Sequence, residues 1–128
     1  MNACPSWINS MEENLRIMIV DDSLPARRAL KALISQQSGI KVIAEASNGL
    51  DAIQLIQKQI PDFVLMDVHM PVMDGLEATQ SIKRKWPRVK IIILTMYPDC
   101  QAEALSAGAD AFLVKGCKLE EMIAAISY

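Results

Sequence analysis

From Arg16 onward, short apolar runs alternate with longer stretches in which apolar residues recur every three or four positions. The runs are RIMIV (16–20), KVIAE (41–45), DFVLM (62–66), KIIIL (90–94) and AFLV (111–114). Four of the five are almost unbroken by polar residues. That is the pattern of strands covered on both faces of a parallel sheet, and such runs are too short to be buried helices.

The intervening stretches read as amphipathic helices. Ala26, Leu30, Leu33 and Gln37 form the first stripe, with Pro25 near the helix start. Ala52, Ile53, Ile56 and Ile60 form the second, ended by Pro61, and Leu76, Ile82 and Trp86 mark a third, stopped at Pro87. Ala102 and Leu105 before Gly108 give a short, weak fourth. Leu119, Met122, Ile123 and Ile126 give a fifth at helical spacing.

Five strand-then-helix units require right-handed crossovers and helices on both faces of the sheet. The expected fold is α/β: a five-stranded, parallel, doubly wound sheet of the flavodoxin-like (βα)5 type. A closed eight-unit barrel would need far more chain. The strand order expected for such a sheet is 2-1-3-4-5. Residues 15–128 form the expected domain. Residues 1–14 read as a loosely held polar lead-in that need not all be native, with Met11 an alternative natural start.

Composition narrows the function. The chain has 128 residues, enough for one domain with a full core, and a net charge of −2, so no global basic field argues for nucleic acid. Cys4, Cys100 and Cys117 are an odd number without metal-ligand spacing, which disfavours a disulfide framework or zinc site and favours a reducing compartment. The N-terminus lacks the charge and apolar run of a secretory signal, and no apolar run approaches a membrane span. A soluble cytoplasmic protein, without membrane contact, is expected.

The chemistry lies in the residues that end each run. Ligands of open α/β sheets bind beyond the carboxyl ends of the strands, where strand order reverses. Asp21 and Asp22 come directly after the first run, Asp67 after the third, Thr95 after the fourth and Lys115 after the fifth. Carboxylates about 4 Å apart repel by roughly 4 kcal/mol at an effective dielectric near 20. A hard divalent cation such as Mg2+, which takes oxygen ligands, would remove that repulsion, and Lys115 would offset part of it in the empty site. A carboxylate placed beside a metal and an ammonium can attack a phosphoryl group. Asp67 is the candidate nucleophile, and the Pro and Asp-Gly beyond it would carry the backbone around the metal into the next helix.

The set VDD (20–22), MDVHMPVMDG (66–75), LT (94–95) and FLVKG (112–116) resembles the receiver domain of two-component response regulators, over residues 16–127. The resemblance implies that Asp67 is the phosphoacceptor. It implies that Asp22 and Asp67 bind Mg2+ directly, with Asp21 acting through water and the backbone carbonyl of His69 as a further ligand. Lys115 would contact the phosphoryl group. Thr95 and the aromatic Phe112 would shift together as the switch, altering the face made by the fourth helix, fifth strand and fifth helix. Phe112 stands where Tyr is frequent, and Gly116 where many relatives have Pro. The segments LTMYPD (94–99) and ALSAGADAFLVKG (104–116) resemble the NarL/FixJ subfamily. That implies transcription regulation through a helix-turn-helix domain, with DNA contacted only through that C-terminal domain. The implied partner is a sensor histidine kinase, and a homodimer is compatible with the subfamily. Enzyme activity would extend no further than self-phosphorylation from small donors and self-dephosphorylation.

Taken singly, these residues have plainer readings: Asp-Asp after a strand as a turn or cap, Lys115 as a surface lysine, Thr95 as a turn residue. Their joint placement at one sheet edge is beyond the reach of those plain readings. His69 reads as an exposed loop side chain, and Met66, Met70, Met73 and Met96 as core filler. Lys83, Arg84, Lys85, Arg88 and Lys90 around Trp86 read as a solvated helix end. A haloacid-dehalogenase-like hydrolase would want a second Asp where His69 stands and a cap insertion that is not seen. A binding-only pseudo-receiver would have lost part of the acid set. A stand-alone receiver that docks a target protein is the alternative output.

Overall fold

The computed structural model describes residues 14–126, so of the lead-in only Asn14 falls within it, and Cys4 and Met11 lie outside the described residues. Five strands, β1 (Leu15–Val20), β2 (Ile40–Ala46), β3 (Phe63–Met66), β4 (Lys90–Thr95) and β5 (Ala111–Val114), alternate with five helices. The helices are α1 (Leu24–Ser35), α2 (Gly49–Lys58), α3 (Gly75–Lys85), α4 (Gln101–Ser106, after a 3-10 turn at Pro98–Cys100) and α5 (Leu119–Ile126). All strand pairs are parallel, in the expected order β2-β1-β3-β4-β5.

The unbroken apolar runs are explained by two cores. Successive side chains of a strand point to opposite faces. Met18 and Val20, Val64 and Met66, and Ile91 and Ile93 meet Ala52 and Ile56 of α2, Ala78 and Ile82 of α3 and Ala104 of α4. Their neighbours Ile17 and Ile19, Phe63 and Leu65, and Ile92 and Leu94 meet Ile34 of α1 and Met122 and Ile126 of α5. Only the three central strands are buried throughout their apolar length. At the edges, β2 and β5 pair on one side only and are half-exposed.

Several expectations about the helices need correction. α1 ends at Ser35, so Gln37 lies beyond it, and its fully buried residue is Ile34, while Leu33 is 43% exposed. In α2 the helix stops at Lys58, and Ile60 is exposed. In α4 the stripe is absent: Ala102 and Leu105 face solvent and Ala104 alone is buried, because six residues are too few to define a face. Met96 is also exposed, unlike Met66, Met70 and Met73, which pack in or against the core. The basic end of α3 behaves as a helix terminus: Lys83 Nζ donates to the carbonyls of Pro87 and Val89 and pairs with Asp110 at 2.9 Å, and Lys85 lies over the Trp86 ring. No described helix is long and apolar enough to cross a membrane.

Capping side chains start the helices that leave the polar edge. Ser23 Oγ accepts from Ala26 N, Asn48 Oδ1 from Asp51 N and Asp74 Oδ1 from Glu77 N. Gly75, the first residue of α3, is required by contact: a Cβ there would lie 1.9 Å from the backbone oxygen of Asp67. Gly75→Ala must therefore push α3 away from the end of β3, and we expect a loss of about 3 kcal/mol or more. Equilibrium urea unfolding tests this, and a loss below about 0.5 kcal/mol would show that strand end and helix start separate freely.

Candidate functional site

The backbone ladder continues one residue past the strands and so fixes the start of each loop at this edge. Asp67 N donates to Val20 O at 3.0 Å, Asp21 N to Ala46 O at 3.1 Å and Lys115 N to Thr95 O at 2.7 Å. Because Val20 is in register with Met66, Asp21 and Asp67 emerge side by side. Lys115 leaves the far edge strand and reaches back across the sheet, placing Nζ 2.6 Å from Asp21 Oδ2 and 2.9 Å from Asp67 Oδ2.

Each of the two carboxylates has its second oxygen engaged by backbone. Asp67 Oδ1 accepts from Val68 N at 2.7 Å, and Asp21 Oδ1 accepts from Ser23 N at 2.9 Å in an Asx turn. Asp21 and Asp67 are largely buried. Asp22 is exposed, and among the described residues no hydrogen bond or ion pair holds its carboxylate. One oxygen from each of the three acids lies within 4.8 Å of the others. This all-oxygen donor set, without His nitrogen or Cys sulfur, suits a hard divalent cation such as Mg2+.

Burial of the Lys115 ammonium works against its charge. Hydrogen bonds and the charges of Asp21 and Asp67 outweigh that and hold its pKa above the ordinary lysine value. The lysine is therefore a fixed cation. It offsets the repulsion between the two carboxylates it bonds.

Thr95 is fully buried, and its Oγ1 has no hydrogen-bond partner among the described residues. Buried hydroxyls are normally paired, so Thr95 Oγ1 is left unsatisfied in this conformation. Phe112 is half-buried against the core formed with α2, α3 and α4. The His69 side chain is exposed, as expected, and stacks edge-on against Tyr97 with ring centroids 4.5 Å apart. Gly116 occupies a hydrogen-bonded turn, with Cys117 N donating to Val114 O and φ at +93°, a conformation that proline cannot adopt. Cys100 and Cys117 are unbridged. Burial first, then the charges of Asp99, Glu103 and Asp67, push the Cys100 thiol pKa up, and burial and Glu121 do the same for Cys117. Neither is an activated thiolate.

Two side chains at this edge escaped sequence reasoning. Arg27, in the first turn of α1, donates through Nη1 to the backbone oxygen of Asp21 at 2.6 Å, and its Nε lies 3.3 Å from Glu45 Oε1 on β2. A cation in the first turn of a helix opposes the helix dipole, and that mismatch was the available signal.

Residues 17–127 match the family model of the response regulator receiver domain. The chain belongs to that family. This receiver is 39% identical over 111 residues to the uncharacterized transcriptional regulatory protein YhcZ of Bacillus subtilis, covering 85% of this chain and 52% of that protein. It is 39% identical over 114 residues to the response regulator UvrY of Escherichia coli, covering 88% and 52% respectively. A two-component response regulator of the LuxR family from Aurantimonas sp. SI85-9A1 superposes with a TM-score of 0.83 at 34% identity, over 88% of this chain and 81% of that one. The chain spans about half the length of the curated relatives it matches. The receiver fold and family expected from the motifs are both borne out, and the receiver is a signalling domain of two-component systems.

The orphan hydroxyl yields a prediction about stability. Thr95→Val keeps the shape of the side chain and removes the unpaired oxygen, so the variant should be more stable by roughly 1 kcal/mol. Urea denaturation would read this as a higher midpoint at an unchanged slope; a lower midpoint would mean that the hydroxyl has a partner in solution.

Proposed function

We propose that this receiver accepts a phosphoryl group on Asp67 from a sensor histidine kinase, with Mg2+ held at the acidic edge. The observation that carries this reading is the position of Asp67: at the end of a central strand, largely buried, beside Asp21 and within 2.9 Å of Lys115 Nζ. Asp22 and Asp67 would hold the metal directly, Asp21 through water, and the His69 backbone carbonyl would complete the protein's share. When bound, Mg2+ supplies neutralisation of the charge on the transferring phosphoryl oxygens.

The chain's own groups do the rest. An Asp67 oxygen attacks phosphorus, the new P–O bond replaces the P–N bond to the kinase's phosphohistidine, and the imidazole leaves. Lys115, already a fixed cation, is placed to pair with a phosphoryl oxygen, as a preorganised charge stabiliser must be. Thr95 Oγ1 would donate to another of those oxygens and so acquire a hydrogen-bond partner, with Phe112 moving in behind it. Both residues sit at the junction of β4 and β5 with α4, so the shift would alter the face made by α4, β5 and α5.

The relatives named as transcriptional regulators support a transcriptional output. In this reading the receiver is the regulatory half of a cytoplasmic transcription factor, with DNA contacted only by a helix-turn-helix domain outside this chain and with homodimerisation as one route of output. Its only chemistry would be its own phosphorylation from small donors and its own dephosphorylation.

Intact-mass spectrometry tests the acceptor. With Mg2+ and acetyl phosphate, the wild-type chain should gain one phosphoryl group that is slowly lost. Asp67→Asn should gain none, because an amide is a poor nucleophile and metal ligand. Continuous phosphate release without an adduct would favour a hydrolase, and one adduct per chain on Asp67→Asn would move the acceptor elsewhere.

A further inference from the structure

The residues at the site are unequally held. Asp21 is tied at its backbone nitrogen by Ala46 O, at one carboxylate oxygen by Ser23 N, at the other by Lys115 Nζ and at its backbone oxygen by Arg27 Nη1. Asp22, the exposed member of the acidic set, has no partner for its carboxylate among the described residues. The backbone sets the direction of its Cα–Cβ bond, and among the described residues no hydrogen bond or ion pair holds the carboxylate beyond it.

That backbone is where Arg27 acts. The carbonyl of Asp21 and the nitrogen of Asp22 belong to one planar peptide unit. Holding the oxygen at 2.6 Å from a guanidinium restrains the rotation of that plane, and with it the line on which the chain enters Asp22. The guanidinium is itself aimed. Its Nε is 3.3 Å from Glu45 Oε1, and the other oxygen of Glu45 is 3.3 Å from Lys31 Nζ. The Arg27 side chain is only 14% exposed, unlike a solvated surface arginine. A planar fork can donate in both directions at once, as the single ammonium of lysine cannot.

We infer that Arg27, oriented by Glu45, is a positioning residue that presets Asp22 for cation binding. This rests on the reading of the acidic edge as a Mg2+ site. It also gives β2 a part in the site, through Glu45, although no side chain at the end of that strand joins the acidic set.

Charge and position predict opposite signs, which makes the inference sharp. As a nearby positive charge, Arg27 would oppose an incoming cation, so its neutralisation would tighten binding. As a positioning residue it supports binding, and its removal weakens it. Partners that orient metal ligands are typically worth 10–100-fold in metal affinity. We expect Arg27→Gln to bind Mg2+ about tenfold more weakly, measured by isothermal titration calorimetry at fixed ionic strength.

The pair Arg27→Gln with Glu45→Gln leaves the net charge unchanged and leaves no Glu45 carboxylate without its arginine. It should show a similar loss, and it decides the matter if the single variant fails to fold. Thermal unfolding without metal identifies which variants keep the fold. Weaker binding by a folded variant, above all the charge-balanced pair, supports the inference. Equal or tighter binding overturns it and leaves the receiver reading intact. Absence of Mg2+ binding by the wild-type chain would overturn the metal reading, and this inference with it.

Discussion

Two carboxylates, from β1 and β3, are forced side by side by strand register, and one ammonium from β5 makes that tolerable. At separations up to 4.8 Å and an effective dielectric near 20, each like-charge pair repels by roughly 3 kcal/mol or more, less where the exposed Asp22 is involved. Lys115 bonds to Asp21 and Asp67 at once and so closes a bridge over β4 that the backbone ladder cannot make. The close approach of α3 to Asp67, the Asx turn at Asp21 and the turn at Gly116 all serve to bring these three groups to one place.

The central strands were legible in the sequence because both their faces are buried, so apolar residues fill every position and the polar residue after each run stands out. Asp21, Asp22, Asp67 and Thr95 were readable for that reason, and Lys115 stood out after the short apolar run of the edge strand β5. The edge strands and short helices were less so. A helix of six residues has no stripe to read, and the choice between Leu33 and Ile34 turns on a rotation of about 100° per residue that only packing against β1 and α5 settles. Arg27 and Glu45 could not be paired in advance, because they lie 18 residues apart and meet only once α1 packs beside β2.

The loop from β3 to α3 holds strain beside the site. Val72 adopts φ of +71° within a γ-turn closed by Met73 N and Pro71 O, a conformation costly for a β-branched residue. It is held by the bond from Gly49 N to Met73 O and by the bond from Gly75 N to Val68 O, which clamp both ends of the turn. The neighbouring His69 ring rests on Tyr97, so the two loops at the mouth of the site touch through aromatic edges. The backbone around Asp67 is thus constrained from α2, α3 and the β4–α4 connection together.

Thr95 alone could supply only a small part of the bias that the proposed switch would need. A ligand shifts a conformational equilibrium only by the difference in its interactions with the two states. An acceptor offered to the orphan hydroxyl in one state alone is worth about 1–2 kcal/mol, roughly a five- to thirty-fold change in population. Converting a receiver from almost wholly one state to almost wholly the other takes a bias of about 10,000-fold. In the proposed switch the hydroxyl would therefore be one contributor among several, and the rest of the bias would come from the charge that gathers Lys115 and the acids, or from surfaces brought together outside the site.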